Sequence, residues 1–319
     1  MSTSYTRPRG EYGPTNTQSV TRTFEQRLRG VLGRINAKIR EFVGEKDWFG
    51  INEQSDTLAV EDPDPFNTDN NPKKIALFVN WLREQLDANY LSIVGPDRNE
   101  WIETAYKEGI RNVHRQLSDL NVSFEREDAN DLVSVPIHRS SLRELYTRTY
   151  SNLQSVRDDV ATDVRDTLLE GFQEGKGPRE IARTLTDRID SIGKYRSTLI
   201  ARSETINAHS SGTLSRIDEL NEDTEQEIVA SHGEWDAAMD NRTCAFCQAL
   251  NGVEMATDEM GRFSVEVGES ANLPNQFIGR NFRLKPPAHP NCRCNIRVSI
   301  GPTGLDTPLD ERLPNGVST

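Results

Sequence analysis

LRELYTRTYSNLQSVRDDVATDVRDTLLEGF, residues 142–172, is the longest periodic segment of the chain. Its apolar members are Leu142, Leu145, Tyr146, Tyr150, Leu153, Val156, Val160, Val164, Leu168 and Phe172. Steps of three and four residues lay these side chains along one face of a helix. A stripe kept over so many turns describes a long helix packed along a partner. Gly175-Lys176-Gly177-Pro178 ends it, and Pro178 suits the first position of a new helix because its missing N–H is not needed there.

On either side of this segment the same period recurs. Ile181, Ala182, Leu185 and Ile189 mark a short helix, and Leu199, Ile206, Leu214 and Ile217 mark another over about 194–220. Upstream, Trp101, Ile102, Ala105, Ile110, Val113 and Leu117 form one stripe, and Ile75, Phe78, Val79, Leu82 and Leu86 another. A stripe from Phe24 to Val43 is interleaved with Arg and Lys. After Asn221 the texture changes. Residues 227–235 and 295–300 read as short strands, and Phe263, Val265 and Val267 alternate as a third. The expected fold is α+β, a predominantly α-helical body with long amphipathic helices and a small C-terminal β-containing module stapled by zinc. The expected divisions are a flexible tail over 1–22, a basic amphipathic helix over 23–49, an acidic linker over 50–73, a helical body over 74–220, a metal-binding α+β module over 221–300 and a flexible tail over 301–319.

Charge is unevenly placed. The 319 residues carry 38 Lys+Arg and 50 Asp+Glu, a net −12, yet residues 1–46 hold 9 basic and 4 acidic side chains. That arm is therefore +5 on a remainder of −17. Thirty of the basic residues are Arg and 8 are Lys. An acidic, Lys-poor surface fits solubility in high salt, where repulsion is screened; base-composition bias would give the same ratio. The linker's six carboxylates lack the Gly and Glu positions of an EF-hand loop. The longest uncharged apolar-rich run, Ile75 to Leu82, is far short of the ~20 residues that span a bilayer. The N-terminus has no apolar segment behind its charges, so no secretory signal is expected and the chain reads as soluble, made in the cytosol, without a membrane partner.

All four cysteines lie within 51 residues. Cys244 and Cys247 form C-x-x-C; after 44 intervening residues Cys292 and Cys294 form C-x-C, with His289 three residues ahead of Cys292. A divalent ion held by thiolate and imidazole needs four converging ligands, and two close pairs joined by a loop supply them. Either all four cysteines bind, or Cys244, Cys247, His289 and Cys292 bind and Cys294 is spare; the tight C-x-C favours the second set. Disulfides and unliganded thiols are the competing readings, the former disfavoured in a cytosolic protein. A closed site of this kind is structural, replacing the core that a short, loop-rich segment cannot build. No phosphate-binding loop, nucleophile elbow or H-E-x-x-H occurs. His209, His232, Arg202 and Glu204 are the remaining candidates for acid–base work, and nothing assembles a nucleophile with a base.

In order along the chain stand Ile200-Ala201-Arg202-Ser203-Glu204-Thr205, Ala208, Gly212, Trp235, Asp240-Asn241-Arg242-Thr243-Cys244-Ala245-Phe246-Cys247 and Pro286-Pro287-Ala288-His289-Pro290-Asn291-Cys292-Arg293-Cys294. This ordered set resembles the phage head-morphogenesis family typified by the F protein of phage Mu, the minor head proteins of tailed viruses. The resemblance covers about residues 98–300. Ser203 stands where the family usually has Thr, the stretch between the cysteine pairs is long, and the first 97 residues are unaccounted for. The resemblance implies a minor capsid protein and not an enzyme, placed in the virion at the portal vertex inside the head. Its partners would be the portal and other head proteins, with a role in genome packaging or delivery. With the composition, it implies a tailed virus of a halophilic host. The basic arm, residues 1–46, would either lay its apolar stripe into a portal groove or touch packaged DNA through Arg7, Arg9, Arg22, Arg27 and Arg29. The alternative functions are a metal-dependent hydrolase or nuclease and a zinc-type nucleic-acid-binding module.

Overall fold

The computed structural model describes residues 3–4, 15–51, 71–124, 126–222, 231–300 and 304–319. Most of the expected acidic linker, Arg7, Arg9 and the start of the expected 227–235 strand lie outside the described residues. The chain divides into two compact units, one of Met1–Arg22, Asn99–Tyr146 and Ala201–Thr319, the other of Thr23–Arg98 and Thr147–Ile200. No described helix is long and apolar enough to cross a membrane.

The second unit is helical. It takes most of α1 (Gln18–Ile39), a π-helical turn at Arg40–Glu45, all of α2 (Asn71–Asn89), and parts of α5 (Pro136–Gln173) and α6 (Pro178–Glu222). The stripe of α1 and the turn after it is buried at Phe24, Leu28, Val31, Leu32, Ile35, Ile39 and Val43, and half-buried at Phe42. It packs within the unit, where Asn36 Nδ2 donates to Asp190 Oδ1 (2.5 Å) and Thr198 Oγ1 to Glu25 Oε1 (2.8 Å). This corrects the expectation that the stripe is free to enter a portal groove. Burying each such side chain contributes about 1.5–3 kcal/mol, which keeps the stripe inside and turns the charges out. Gly175, with φ +66°, closes α5 as expected, and Pro178 opens α6. The two expected helices over 178–189 and 194–220 are one helix of 45 residues. Gly193 does not break it, because the missing Cβ admits Leu32, whose Cδ1 would lie 2.6 Å from such an atom.

The first unit joins helices to two small sheets. Here α3 (Glu100–Asp119) is capped by Asn99, whose side chain accepts from the N–H groups of Trp101 and Ile102. The short α4 (Ala129–Leu132) follows, capped by Asp128. Helices α3 and α6 cross at matched glycines: a Cβ on Gly109 would strike the His209 carbonyl, and one on Gly212 the Tyr106 carbonyl. Between α3, α5 and α6 runs a buried polar chain. Tyr106 Oη bonds His138 Nδ1 (2.8 Å), His138 Nε2 bonds Glu219 Oε2 (2.9 Å), and Arg216 donates to Glu219 (2.6 Å) and to His114 Nε2 (3.0 Å).

The strands are β1 (Thr3–Ser4), β2 (Ser231–Asp236), β3 (Glu254–Met255), β4 (Ser264–Val267), β5 (Asn281–Arg283), β6 (Asn295–Ile300) and β7 (Val317–Ser318). They form one sheet in the order β1-β6-β2-β3 and another in the order β5-β4-β7. The pairings in both sheets are antiparallel, with Gly233 opposite Val298 and Trp235 opposite Ile296. Two helices too short to show a period, α7 (Ala245–Leu250) and α8 (Thr257–Arg262), lie between the strands in sequence. The core of this region gathers Trp235, Phe246, Met255, Val265, Ile296 and the cysteines. Both expected tails are revised. Thr3 and Ser4 pair with Ile300 and Ser299 at the sheet edge. Residues 304–319 include α9 (Leu309–Arg312) and β7, and they bury Leu313 and Val317 in the same core. The physical reason is that a small β region lacks apolar surface of its own and recruits it from the chain end.

Candidate metal centre

Two loops carry the site. The first leaves β2 and turns through Asp240, whose Oδ1 accepts from Arg242 N (2.9 Å) while Thr243 N reaches back to Asp240 O (3.0 Å). The turn delivers Cys244 to the N-cap of α7, where its Sγ accepts from Cys247 N at 3.4 Å. One helical turn then places Cys247 on the same side. The second loop turns at Asn291, which adopts φ 63°, a left-handed conformation that Asn tolerates. Cys292 N donates to His289 O (3.1 Å), and the chain then enters β6 past Cys292 and Cys294.

Side chains that spacing alone did not single out lock these loops together. Arg293 grips Asp240 through both guanidinium nitrogens, one at 2.6 Å and the other closer. This pairing holds the Asp240 carboxyl well below the usual carboxylate range. Arg202 on α6 donates to Asn291 Oδ1 (2.9 Å), and Lys285 donates to Ser211 Oγ (3.0 Å). Beneath the loops Phe246 stacks on Phe282 with ring centroids 4.2 Å apart. The motif order Asp240…Cys244 and Cys292-Arg293 holds the signal for the Arg–Asp clamp, but pairing across 53 residues is not visible in spacing.

The structure brings together all five residues expected to ligate. Cys244, Cys247 and His289 form one triad and Cys247, Cys292 and Cys294 another, each with its ligand atoms within 4.8 Å of one another. His289 Nε2 lies 3.0 Å from Cys244 Sγ and 3.3 Å from Cys247 Sγ; Cys247 and Cys292 sulfurs are 3.9 Å apart. A tetrahedron with Zn–S bonds of about 2.3 Å has an S···S edge of about 3.8 Å, so the sulfur pair already stands at ligand spacing. His289 Nδ1 meets the Pro290 carbonyl at 2.8 Å. With a proton held there, Nε2 is the ring nitrogen turned to the sulfurs, the arrangement that orients metal-binding imidazoles. All four cysteines are free thiols, and the 3.9 Å between the Cys247 and Cys292 sulfurs is well beyond the ~2.05 Å of a disulfide bond.

The electrostatics favour a cation. Thiols this close cannot all ionise. The Cys244 thiol is pushed down to about 4, chiefly by its hydrogen bond with Cys247 and further by His289. Cys292 is also held low by its hydrogen bond with Cys247, and Cys247 is driven up by its contacts with the Cys244 and Cys292 sulfurs. Burial works to lower His289, but the Cys244 sulfur and the Cys292 charge outweigh it and raise it to about 9. A divalent ion would relieve this clash of charges, and the donor set, soft sulfur with one imidazole, fits Zn2+. Cys247, Cys292 and Cys294 are buried, whereas Cys244 and His289 face partly outward. An ion would enter from that side.

The other candidates stay apart. His209 is fully buried on α6, neither ring nitrogen has a hydrogen-bond partner among the described residues, and burial lowers its pKa to about 3. His232 lies on β2 with Nε2 3.5 Å from Glu254 Oε2. Glu204 is buried on α6.

Residues 162–297 match the family described as "Phage Mu protein F like protein". A curated relative, the NAD(+)--arginine ADP-ribosyltransferase EFV of Enterococcus faecalis (strain ATCC 700802 / V583), is 30% identical over 148 residues, 46% of this chain. The aligned part covers 27% of that protein's length. No solved structure matches.

Proposed function

We propose that this chain is a minor structural protein of a tailed-virus head that associates with the portal inside the capsid during assembly. The observation that carries the reading is the match of residues 162–297 to the phage Mu F-like family, a stretch that holds both site loops and the α6 segment that braces them. In this reading the protein is not an enzyme. Zn2+ is held by Cys244, Cys247, His289 and Cys292, with Cys294 beneath them taking a backbone hydrogen bond from Ala238. The ion ties the loop after β2 to the loop before β6, so that a region with little core keeps one shape for its partners. The Arg-rich, acidic composition suits a virus of a halophilic host. The test is cross-linking coupled to mass spectrometry in assembling heads. Cross-links to the portal are expected; a protein found in heads but without portal contacts would overturn the placement.

A contact with packaged DNA belongs to the same reading. The burial of the α1 stripe leaves Arg22, Arg27, Arg29, Arg34, Lys38 and Arg40 exposed, and such a row neutralises phosphates. Binding of the full chain to duplex DNA that falls steeply with salt, and weakens when Arg27, Arg34 and Arg40 become Glu, supports it. Binding indifferent to both removes it.

A further inference from the structure

Helix α2 is apolar on more sides than its own unit uses. Ile75, Phe78, Val79, Leu82 and Leu86 are buried, yet Leu77 on the opposite face is 61% exposed. Among the described residues six large hydrophobic side chains stand exposed, and three of them, Leu77, Trp48 (41%) and Leu169 (40%), border two grooves that share α2. One groove, of about 140 Å³, is walled by Phe42, Trp48, Leu77, Phe78 and Trp81. Its rings brace one another: Phe42 meets Trp81 edge-on at 5.3 Å, and Phe78 lies 5.2 Å from Trp81. The other groove, of about 300 Å³, runs between α2 and α5 over Ile75, Val79 and Ala161, with Leu169 at its edge. Leu77 is on the wall of the first, and its neighbour Ala76 lines the second. Contiguous exposed apolar surface of this kind marks an interaction site.

The charged side chains that line the two grooves, Arg83 and Arg165, have one sign. From Asn71 to Arg83, α2 carries Lys73, Lys74 and Arg83 and no carboxylate. Lys74 is engaged with the Phe49 carbonyl (2.8 Å), and Arg165 across the second groove pairs with Asp166 (2.8 Å). Lys73 and Arg83 are exposed and make no hydrogen bond or ion pair among the described residues. Ten residues of helix separate them, about 15 Å along the axis.

We propose that this face of α2 is a docking surface for an acidic amphipathic helix of a partner protein. Its apolar stripe would straddle α2, filling the aromatic groove with a large side chain and the aliphatic groove with a smaller one. Carboxylates at the two ends of a stretch of about ten residues would meet Lys73 and Arg83. Helix-in-groove recognition uses anchors at i, i+3/i+4 and i+7, and two grooves beside one ridge match that spacing. The surface is independent of the metal centre and of the viral reading, so either can fail without the other.

The test uses the full chain and a displayed library of 16-residue helical peptides, with counter-selection on a Leu77→Glu variant. Leu77 is exposed, so this variant keeps the parent circular dichroism spectrum. The expected outcome is enrichment of peptides with an apolar stripe and terminal Asp or Glu. A synthetic copy should shift the emission of Trp48 and Trp81, bind Leu77→Glu at least tenfold more weakly, and lose severalfold affinity on Arg83→Glu. Three results would overturn the proposal: no Leu77-dependent enrichment, enrichment of basic or uncharged stripes, or self-association of the chain that Leu77→Glu abolishes, which would make a second copy the occupant.

Discussion

Replacing glycine by alanine at three helical positions should change stability in three different ways, and the structure says which. In an unobstructed helix the change is favourable by about 1 kcal/mol, because alanine loses less backbone entropy. Gly33 lies on the exposed face of α1 with nothing within 4 Å of an added Cβ, so Gly33→Ala should stabilise by about that amount. At Gly193 the new methyl would lie 2.6 Å from Leu32 Cδ1, the far end of a side chain that can rotate. The strain offsets the helix gain, and the net effect should be near zero. At Gly212 the obstacle is the Tyr106 carbonyl, with Tyr106 C at 3.0 Å and Cα at 3.2 Å behind it. Backbone on a packed helix cannot step aside, so α3 and α6 must separate. Overpacking of this kind costs about 1–3 kcal/mol or more, which exceeds the propensity gain. Urea unfolding followed by far-UV circular dichroism gives the free energies, and thermal midpoints should follow at about 2–4 °C per kcal/mol. If Gly212→Ala matches or exceeds the stability of the parent, the close crossing of α3 and α6 is wrong.

Further expectations concern other links. His209→Leu should leave stability at pH 7 unchanged or raised, because the imidazole it removes is buried without hydrogen-bond partners among the described residues. His209 and His114 have folded pKa values of about 3 and 4 through burial, His114 also through Arg216. Each depressed base stabilises fully above its unfolded value near 6.5 and loses that contribution as pH falls toward the folded value, at up to about 1.4 kcal/mol per pH unit. His209→Leu should therefore flatten the pH–stability curve between about 6.5 and 3, and an unchanged slope would count against its burial. Arg293→Lys keeps the charge but cannot grip both Asp240 oxygens; zinc affinity in chelator competition should fall about 10- to 100-fold, and an unaltered affinity would mean that the clamp does not position the ligands. Truncation after residue 303 strips Leu313, Val317 and β7 from the core. A loss of at least about 3 kcal/mol is expected from the two buried side chains, where a true tail would cost nothing.

The helices were legible because burial imposes a 3.6-residue period: every buried apolar member of the α1 stripe, and Pro178 as the start of α6, could be read directly. What periodicity cannot see is a helix that continues through glycine. The expected gap between 189 and 194 holds Gly193, and Leu32, distant in sequence, fills the space its missing side chain leaves. Nor does composition reveal that Leu313 and Val317, set among prolines and glycines, supply core to strands before them, since strand pairing at this range depends on tertiary partners. For the site, the residue types and spacing named all five candidate ligands. They did not disclose the overlapping triads that share Cys247, because C-x-x-C and C-x-C spacings say nothing about how two loops face each other. The Arg293–Asp240 clamp was hidden for the same reason. The basic arm was half legible: its charge stood in the sequence, but the choice between an apolar and a cationic contact face needed the burial of Phe24 to Val43.

Elemental analysis of the purified full chain decides whether the metal centre exists, with each of Cys244, Cys247, His289, Cys292 and Cys294 changed in turn to Ala. One zinc per chain is expected, lost on substitution of Cys244, Cys247, His289 or Cys292 and retained in Cys294→Ala. A chain without bound metal would contradict the metal centre itself, and retention in His289→Ala with loss in Cys294→Ala would contradict the ligand set.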